Sequence, residues 1–471
     1  MSPRAWFRGL PLTALLAGCT VGPDYVRPET ALPAAFAEGA GEPASGGIAA
    51  DWWQGFGDPE LTRLVGRALA ANTDLRVAVG RWEEASAQLS DVAGAAWPAI
   101  DATGEADRFK VSSGTFLPVG GNAPGRNRRI QRAGLVTSFE LDFWGRLRRA
   151  EEGARAQMLA AEEGVAQVRL GLAVAVVRTY SALRTADAVL VGAEALVAAQ
   201  EEGVRLARRR SELGVAAPAE LAQAEIALAA ALAGRSEARR TRAQAEHLLG
   251  FLTVEPALVV PRDARPLPLP PLPSAGLPSD LLSRRPDVRA AEQALVAANA
   301  RIGFVKAARY PSFSLTGALG TESRTFGDLF KSETATADLG LDLRAPLFDA
   351  GRLAARVDVA IAAQHQAVAD YERAALNAFR EVRDALADVR ETALAAEAAA
   401  RRETAATEAL RVATARGSSG QAPPQELLEA RRAHAESQFA VARVRQDRLE
   451  AQLALIRALG GARPEQVPPV R

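Results

Sequence analysis

The sequence predicts a mainly α-helical chain with a small β part, built as a tandem duplication. Residues 352–416 contain neither glycine nor proline, and at a rise of 1.5 Å per residue they would form a helix roughly 100 Å long. Four shorter segments alternate apolar and polar residues, which is the period of a strand with one buried face. Two blocks of the chain also align with each other, as expected of an internal repeat.

Residues 1–18 have the pattern of a lipoprotein signal peptide. A basic start, MSPRAWFR, precedes an apolar run, GLPLTALLAG, that is too short to span a bilayer. LAGC at 16–19 matches a bacterial lipobox, which predicts an N-acyl and S-diacylglycerol lipid on Cys19. Cys19 is also the single cysteine, so an intrachain disulfide is excluded. The alternative is an ordinary signal peptide with an incidental cysteine.

The first repeat is predicted at 51–252, after an acylated, extended segment at 19–50. It has strands at about 99–108 and 135–143 and a long helix at about 146–211. The second strand would have one apolar face, formed by Leu135, Thr137, Phe139, Leu141 and Phe143.

A proline-rich linker at 253–278, extended and without core-forming residues, is predicted to separate the repeats. The second repeat, at 279–460, opens with a proline and an aspartate, Pro286 and Asp287, which suit the first turn of a helix. Its predicted strands lie at about 312–321 and 337–345, its long helix lies at about 352–416, and a C-terminal tail follows at 461–471. The alignment of the two copies pairs residues 74–89 with 287–302, Arg210 with Arg416, and Gly214 with Gly420.

Strands of nine or ten residues with one apolar and one polar face are long enough to cross a membrane. A soluble antiparallel sheet covering a core is the alternative, but the sequence offers no obvious globular core for it. Four strands cannot close by themselves, and an open edge is not tolerated in lipid. Two chains would supply eight strands, and three chains would supply twelve, enough to surround a passage.

The composition argues against several other classes of protein. The net charge is +1, from 57 basic and 56 acidic residues that are interspersed, so the basic stripe of a nucleic-acid-binding protein is absent. The histidines His247, His365 and His434 have no partner at metal-ligand spacing. We find no phosphate-binding loop or nucleophile elbow and no apolar run of about 18 residues after the leader. The sequence therefore predicts no catalytic residue, no metal site and no enzyme.

Several motifs together resemble the outer membrane factor family, and most closely its NodT-type efflux lipoproteins. The resemblance covers the chain from leader to last helix and depends on 16-LAGCTVGPDYVRP-28, 52-WWQGFGDPEL-61, 138-SFELDFWGR-146, 284-RRPDVRAAE-292, 309-RYPSFSLTG-317 and 346-PLFDAGR-352.

This resemblance implies a homotrimer in the outer membrane, with a shared twelve-stranded barrel continued by a long α-helical barrel in the periplasm. The protein would be a passive conduit in a tripartite efflux system, anchored by its lipid. It would work with a periplasmic adaptor and an inner-membrane transporter, most simply of the RND type. Thr20, rather than an aspartate, after the cysteine agrees with an outer membrane location. The loop at about 109–134 would face outside the cell and tolerate insertion.

The resemblance also implies functional residues at the two helix–turn–helix tips. The tips containing Gly214 and Gly420 would contact the adaptor. Glu220, Glu426 and Glu429 would form an acidic ring at the periplasmic entrance, where three-fold repeated carboxylates favour cations. Alternatively, they are ordinary charges in the first turns of helices. Gly417 and Ala422 stand where the family often has a tyrosine and an arginine that hold the entrance closed. The sequence therefore does not show which hydrogen bonds would close the entrance in this protein.

Two other functions remain possible from the sequence. One is the exit duct of a type I protein secretion system, which would use the same architecture. The other is a non-conducting coiled-coil lipoprotein that tethers the envelope, although this role leaves the four amphipathic strands without a purpose. The sequence does not identify the cargo, because the inner-membrane transporter selects it.

Overall fold

The computed structural model describes residues 20–30, 33, 35–36, 48–110, 112, 127–215, 217–273, 276, 278–419, 421 and 423–462. The helices are α1 (Pro59–Ala71), α2 (Thr73–Gly94), α3 (Arg146–Glu212), α4 (Pro218–Thr253), α5 (Leu281–Arg284), α6 (Pro286–Ala307), α7 (Arg352–Ser418) and α8 (Pro424–Ala458). The strands are β1 (Ala99–Lys110), β2 (Asn127–Leu141), β3 (Ser312–Ser323) and β4 (Ala335–Arg344). The order helix, strand, strand, long helix, helix thus occurs twice, which confirms the duplicated architecture.

The long helices α3 and α7 contain 67 residues each. Both begin at the predicted residues, Arg146 and Arg352, and end within two residues of the predicted ends. Each follows a glycine with a positive φ, Gly145 or Gly351, a conformation that ends the preceding extended segment. Throughout the parts of the chain that are described, the helices lack a stretch both long and apolar enough to cross a membrane.

Strand β2 is longer at its start than the alternation of its residues predicts. It begins at Asn127 rather than 135 and ends at Leu141, so Phe143 lies in a turn beyond the strand. Arginines at 128, 129 and 132 interrupt the alternation of apolar and polar residues at the start of the strand. Backbone pairing with β1 does not depend on that alternation. The ladder with β1 runs without interruption from Ala99↔Ser138 to Lys110↔Asn127.

The predicted loop at 109–134 is therefore wrong at both ends. Residues 109–110 belong to β1 and residues 127–134 belong to β2. Apart from Ser112, the remainder of that predicted loop lies outside the described residues.

The four strands form one antiparallel sheet in the order β1-β2-β3-β4. The central ladder, from Leu141↔Phe313 to Gln131↔Ser323, joins the first sequence copy to the second. Strand register separates the charged residues into two faces. One face, the acidic face, has every Asp and Glu of the strands: Asp101, Glu105, Asp107, Glu140, Glu322, Asp338 and Asp342.

The opposite face of the sheet, the apolar face, is exposed. Leu339 is 81% exposed, and Ile100, Leu319 and Leu341 are all above 60%. An apolar sheet face this open in a single chain is an interaction surface for lipid or another apolar partner.

The chain divides into two compact units, each assembled from both sequence copies. The first unit comprises residues 1–28, 83–160 and 291–370 and contains the sheet. The second comprises residues 29–82, 161–290 and 371–471. The sequence copies are thus not separate folding domains.

The second unit has the main apolar core. Phe56, Leu61 and Leu64 are fully buried beside Tyr180 and Leu183 of α3. Helix α1 contributes its apolar face to this core. Asp58 stabilises the start of the helix by accepting hydrogen bonds from the backbone N–H groups of residues 60 and 61 at 2.9 and 3.0 Å.

The proline-rich linker contributes to this core, contrary to the prediction that it lacks core-forming residues. Val260 is 3% exposed, and its carbonyl accepts a 2.6 Å hydrogen bond from Arg242. Arg184 donates to the carbonyl of Arg265 at 2.8 Å and forms a 2.8 Å ion pair with Asp263. The linker is therefore fixed by arginines of α3 and α4, although its proline content alone indicates a free extended segment.

Candidate functional site

The two helix–turn–helix tips are built by the same backbone turn. At the first tip, α3 ends at Glu212, and Gly214 has a φ of 71°, which glycine adopts without strain. The N–H of Val215 then donates to the carbonyl of Arg210 at 2.9 Å, closing the helix end as a Schellman motif does. Helix α4 begins at Pro218, which has no N–H that needs a partner.

The second tip repeats this geometry between α7 and α8. The N–H of Gln421 donates to the carbonyl of Arg416 at 2.9 Å, and α8 begins at Pro424. The predicted tip glycine Gly420 and its neighbour Ala422 lie outside the described residues. Both long helices are therefore closed by the same N–H to carbonyl bond across five residues.

Glu220 and Glu426 are each paired with an arginine of their own tip. Arg210 Nη1 lies 3.0 Å from Glu220 Oε1, and Arg416 Nη1 lies 2.7 Å from Glu426 Oε1. Arg416 also donates to the carbonyl of Gln421 at 3.4 Å. These side chains are between one third and one half exposed, so each pair is worth at most about 1 kcal/mol. The pairs nevertheless cancel the charge of two predicted gate carboxylates.

Glu429 differs from the other two predicted carboxylates. It lies on α8 one helical turn after Glu426, and its side chain is exposed. Within the portion of the chain that is described, Glu429 has neither an ion-pair nor a hydrogen-bond partner. Its carboxylate is therefore an uncompensated negative charge near the second tip.

The structure brings each tip arginine to the glutamate of the same tip. In the described tips it shows no side-chain contact that joins Glu220 to Glu426. Sequence analysis aligned Arg210 with Arg416 but gave these arginines no role. The signal that was available is their shared spacing, since both stand four residues before a tip glycine and ten before a glutamate. Gly417 lies within the last turn of α7, next to Arg416, whose side chain bonds to Glu426 and to the carbonyl of Gln421.

The segment that follows Cys19 is held against the first unit. Cys19 itself lies outside the described residues, but Val21 donates its N–H to the carbonyl of Trp144 at 3.0 Å. Arg27 forms two hydrogen bonds to Glu292, at 2.6 and 2.7 Å, in the bidentate geometry that arginine favours. Residues 21–27 of this segment are thus fixed beside α3 and α6.

Two glycines allow this segment to approach α6 closely. A Cβ added at Gly22, which has a φ of 110°, would lie 2.5 Å from the Cα of Gly303. A Cβ at Gly303 would in turn lie 2.7 Å from the carbonyl oxygen of Val21. Either contact is too short for any side chain, so both positions require glycine.

Among the described residues, no group of three or more His, Cys, Asp or Glu side chains is arranged to hold a metal ion. His434 Nδ1 lies 3.3 Å from the hydroxyl of Thr407, an ordinary contact between exposed helix residues.

Comparison with known proteins gives consistent relatives over almost the whole chain. The family model described as outer membrane efflux protein matches residues 64–253 and 277–461, which correspond to the two repeats. The probable efflux pump outer membrane protein TtgC of Pseudomonas putida is 35% identical over 384 residues, covering 79% of this chain and 78% of TtgC. The cation efflux system protein CusC of Escherichia coli is 33% identical over 383 residues, covering 79% of this chain and 80% of CusC.

A solved structure has the same fold. The CmeC outer membrane channel of Campylobacter jejuni superposes with a TM-score of 0.87 at 26% sequence identity, covering 94% of this chain and 95% of CmeC. The long helix pairs and the small sheet therefore belong to a known channel architecture.

Proposed function

Since this chain belongs to the outer membrane efflux protein family, we propose that it is the outer membrane channel of an efflux system, a passive conduit that exports small toxic molecules. The observation that carries this proposal is the sheet, which has an exposed apolar face, an acidic opposite face and two unpaired edges, at β1 and β4. Lipid does not tolerate open strand edges, so the edges must be paired by other copies of the chain. Three copies would supply twelve strands, with the acidic faces lining a water-filled passage.

A passive conduit has no energy source of its own, so it needs partner proteins that supply the energy and deliver the cargo. A periplasmic adaptor would contact the tips around Gly214 and Gly420, and an RND-type inner-membrane transporter would supply the energy and select the cargo. The tip turns are suited to this contact because they are short and exposed, and each is closed by its own hydrogen bonds and ion pair.

At the entrance, the three predicted carboxylates would have different roles. Glu220 and Glu426 hold the tip turns through Arg210 and Arg416, whereas Glu429 supplies the negative charge of the ring. This division is supported by the ion pairs of the first two carboxylates and by the exposure of the third. Three copies of one unpaired carboxylate in a narrow opening favour the entry of cations.

The lipid anchor on Cys19, after removal of residues 1–18, is a further part of the proposal. It is supported by the lipobox and by the hydrogen bonds that fix residues 21–27 beside α3 and α6. Val21, two residues after Cys19, lies at the sheet end that continues into α3, since its N–H bonds to the carbonyl of Trp144.

The test is conductance in planar lipid bilayers under a salt gradient. We expect discrete, cation-selective steps from the wild type and reduced selectivity from Glu429→Gln. Asp447→Asn is the matched control, because Asp447 is another exposed acid of α8. Selectivity that falls equally in both variants would move the gate charge away from Glu429, and the absence of steps from folded wild-type protein would contradict the conduit itself.

A further inference from the structure

We propose that the apolar face of the sheet ends in a binding site for the phosphate groups of membrane lipids. The site consists of Arg108, Lys110 and Arg129, called here the cationic rim. This inference rests on the proposed function, because it requires the apolar face of the sheet to meet lipid. The ligand is a lipid with a phosphate-bearing head group in the leaflet that surrounds the hairpin end of the sheet.

The register of β1 and β2 places the rim on the apolar face. Ile100 pairs with Thr137, and alternate residues along β1 share the face of Ile100, which brings Arg108 and Lys110 to that face. Arg129 is the direct cross-strand partner of Arg108. Residues in such pairs have Cβ atoms about 5 Å apart, and like charges in this position destabilise the sheet.

Nothing on this face compensates that repulsion. Every acidic residue of the four strands lies on the opposite face, and no described residue forms an ion pair with Arg108, Lys110 or Arg129. All three side chains are exposed. The described residues therefore supply no counter-charge to the rim, which leaves its three cations open to an anionic ligand.

Arg132 shows what a compensated arginine looks like in the same strand. It lies on the acidic face and contacts Glu105 at 3.1 Å and Glu322 at 2.8 Å, so it is bonded to acids on both neighbouring strands. Arg129, three residues earlier on the other face, has no such partner among the described residues. Arg128 and Arg344 of the acidic face also lack an ion pair there, so the rim is set apart because two of its like charges are direct cross-strand neighbours on an apolar surface.

The position of the cationic rim along the strand agrees with the position of a lipid head group in a membrane. Between Ile100 and Arg108, the apolar-face positions of β1 are the small uncharged residues Ala102, Gly104 and Ala106. At roughly 3.3 Å per residue, Ile100 and Arg108 lie about 26 Å apart along the strand. Because barrel strands tilt by about 35–45°, this separation spans about 20 Å of the roughly 25 Å apolar band of a membrane-spanning sheet, so the rim falls near the border of that band, where lipid phosphates are found.

The chemistry of the rim suits phosphate in particular. Arginine presents a planar fork that binds phosphate oxygens in pairs, and lysine adds a flexible point charge. A phosphate between Arg108 and Arg129 would replace the repulsion with two charge-assisted interactions. Because the adjoining surface is apolar, a ligand with acyl chains gains contacts that a free anion cannot make.

The experiment measures lipid binding to the purified full chain by native mass spectrometry. The wild type and Arg108→Gln/Arg129→Gln are titrated with phosphatidic acid and with diacylglycerol, which lacks the phosphate. The matched control is Arg128→Gln/Arg344→Gln, which removes two arginines from the opposite face of the sheet. Circular dichroism and the oligomeric state verify that each variant is folded.

We expect the wild type and the control to bind phosphatidic acid at least about tenfold more tightly than the rim variant, as charge-assisted hydrogen bonds predict. Diacylglycerol should bind weakly and equally to all three. Equal binding of phosphatidic acid to all three would overturn the proposal, as would its displacement by inorganic phosphate at comparable concentration. Conductance of the same samples separates the two claims, since the rim can fail while the channel conducts.

Discussion

At the scale of single residues, the tips show that a carboxylate's role depends on its partner more than on its position. Glu220 and Glu426 stand where an entrance ring is expected, yet each is paired with an arginine across its own turn. Glu429, one helical turn further on, has no such partner among the described residues. The only sign of the pairing in the sequence is the shared spacing of the two arginines, because Arg416 and Glu426 are separated by a turn and otherwise resemble the solvated charges that surround them.

Removing the second-tip arginine should release a carboxylate into the entrance. We expect Arg416→Gln to increase cation selectivity, because Glu426 then adds to the charge of Glu429. The reversal potential across a salt gradient measures this, and the difference should shrink at about 1 M salt, where screening acts within about 3 Å. Arg431→Gln is the control, since Arg431 pairs with Glu202 away from the turn. Identical reversal potentials in both variants would contradict the pairing argument.

A buried carboxylate of α3 gives a pH-dependent prediction. Burial raises the pKa of Glu163, while Arg289, whose Nη2 lies 2.6 Å from Glu163 Oε1, lowers it less than burial raises it. The other carboxylate oxygen, Oε2, is buried without a hydrogen-bond partner. A raised pKa means that the folded state holds the proton more tightly than the unfolded state. Stability from this group is therefore present below the unfolded pKa, near 4.3, and is lost as pH rises through the folded value.

We expect Glu163→Gln to melt at a higher temperature than the wild type at pH 8, and to differ little from it at pH 4. Thermal melts followed by circular dichroism at both pH values measure the effect. Glu162→Gln is the control, because its exposed neighbouring carboxylate lacks the burial that shifts the pKa. Destabilisation of Glu163→Gln at pH 8 that largely disappears at pH 4 would mean instead that the ion pair with Arg289 outweighs burial.

At the scale of elements, one face of the sheet has the residues that suit lipid and the other face has the residues that suit water. The apolar face is charged only at the cationic rim, and the acidic face contains every carboxylate of the strands. This arrangement is what a strand needs when one side meets lipid and the other meets water. Alternation therefore decides where a charge is tolerated, even between neighbouring residues of one strand.

A charge placed on the apolar face should prevent assembly, whereas the same charge on the acidic face should not. Leu339 is 81% exposed on the apolar face, and Thr336 lies on the opposite face of β4. We expect Leu339→Arg to cost about 2–4 kcal/mol if it reaches the bilayer midplane. Thr336→Arg should be tolerated. The folded, oligomeric fraction on a non-boiled gel measures this, and equal tolerance of both variants would contradict the assignment of faces.

The helices were more predictable than the strands. The starts of α3 and α7 are set by glycines and by an absence of helix breakers, both of which are local and visible in the sequence. The start of β2 is set by pairing with β1, a non-local cause that the arginines at 128, 129 and 132 conceal. For the same reason, the burial of Val260 could not be predicted, because its core partners lie on distant helices.

At the scale of the whole molecule, the proposed lipid on Cys19 and the sheet would be two separate attachments to the membrane. We expect Cys19→Ala to abolish acylation, seen as a loss of lipid mass in the intact protein, while oligomers persist, because the strands provide their own contacts. Loss of oligomers in this variant would argue that the sheet does not hold the assembly together. The Thr20→Ala variant, which keeps the cysteine, is the control.

The central ladder between β2 and β3 has a consequence for the kinetics of folding. Leu141 pairs with Phe313 and Gln131 with Ser323, so the four-stranded sheet cannot form until the chain has been synthesised well past its midpoint. Contacts so distant in sequence are slow to form, because loop closure must precede any stabilising contact. Until then β1 and β2 have an open edge and an uncovered apolar face, which are the features that promote aggregation. Strands β1 and β2 must therefore be protected from aggregation until β3 has been synthesised.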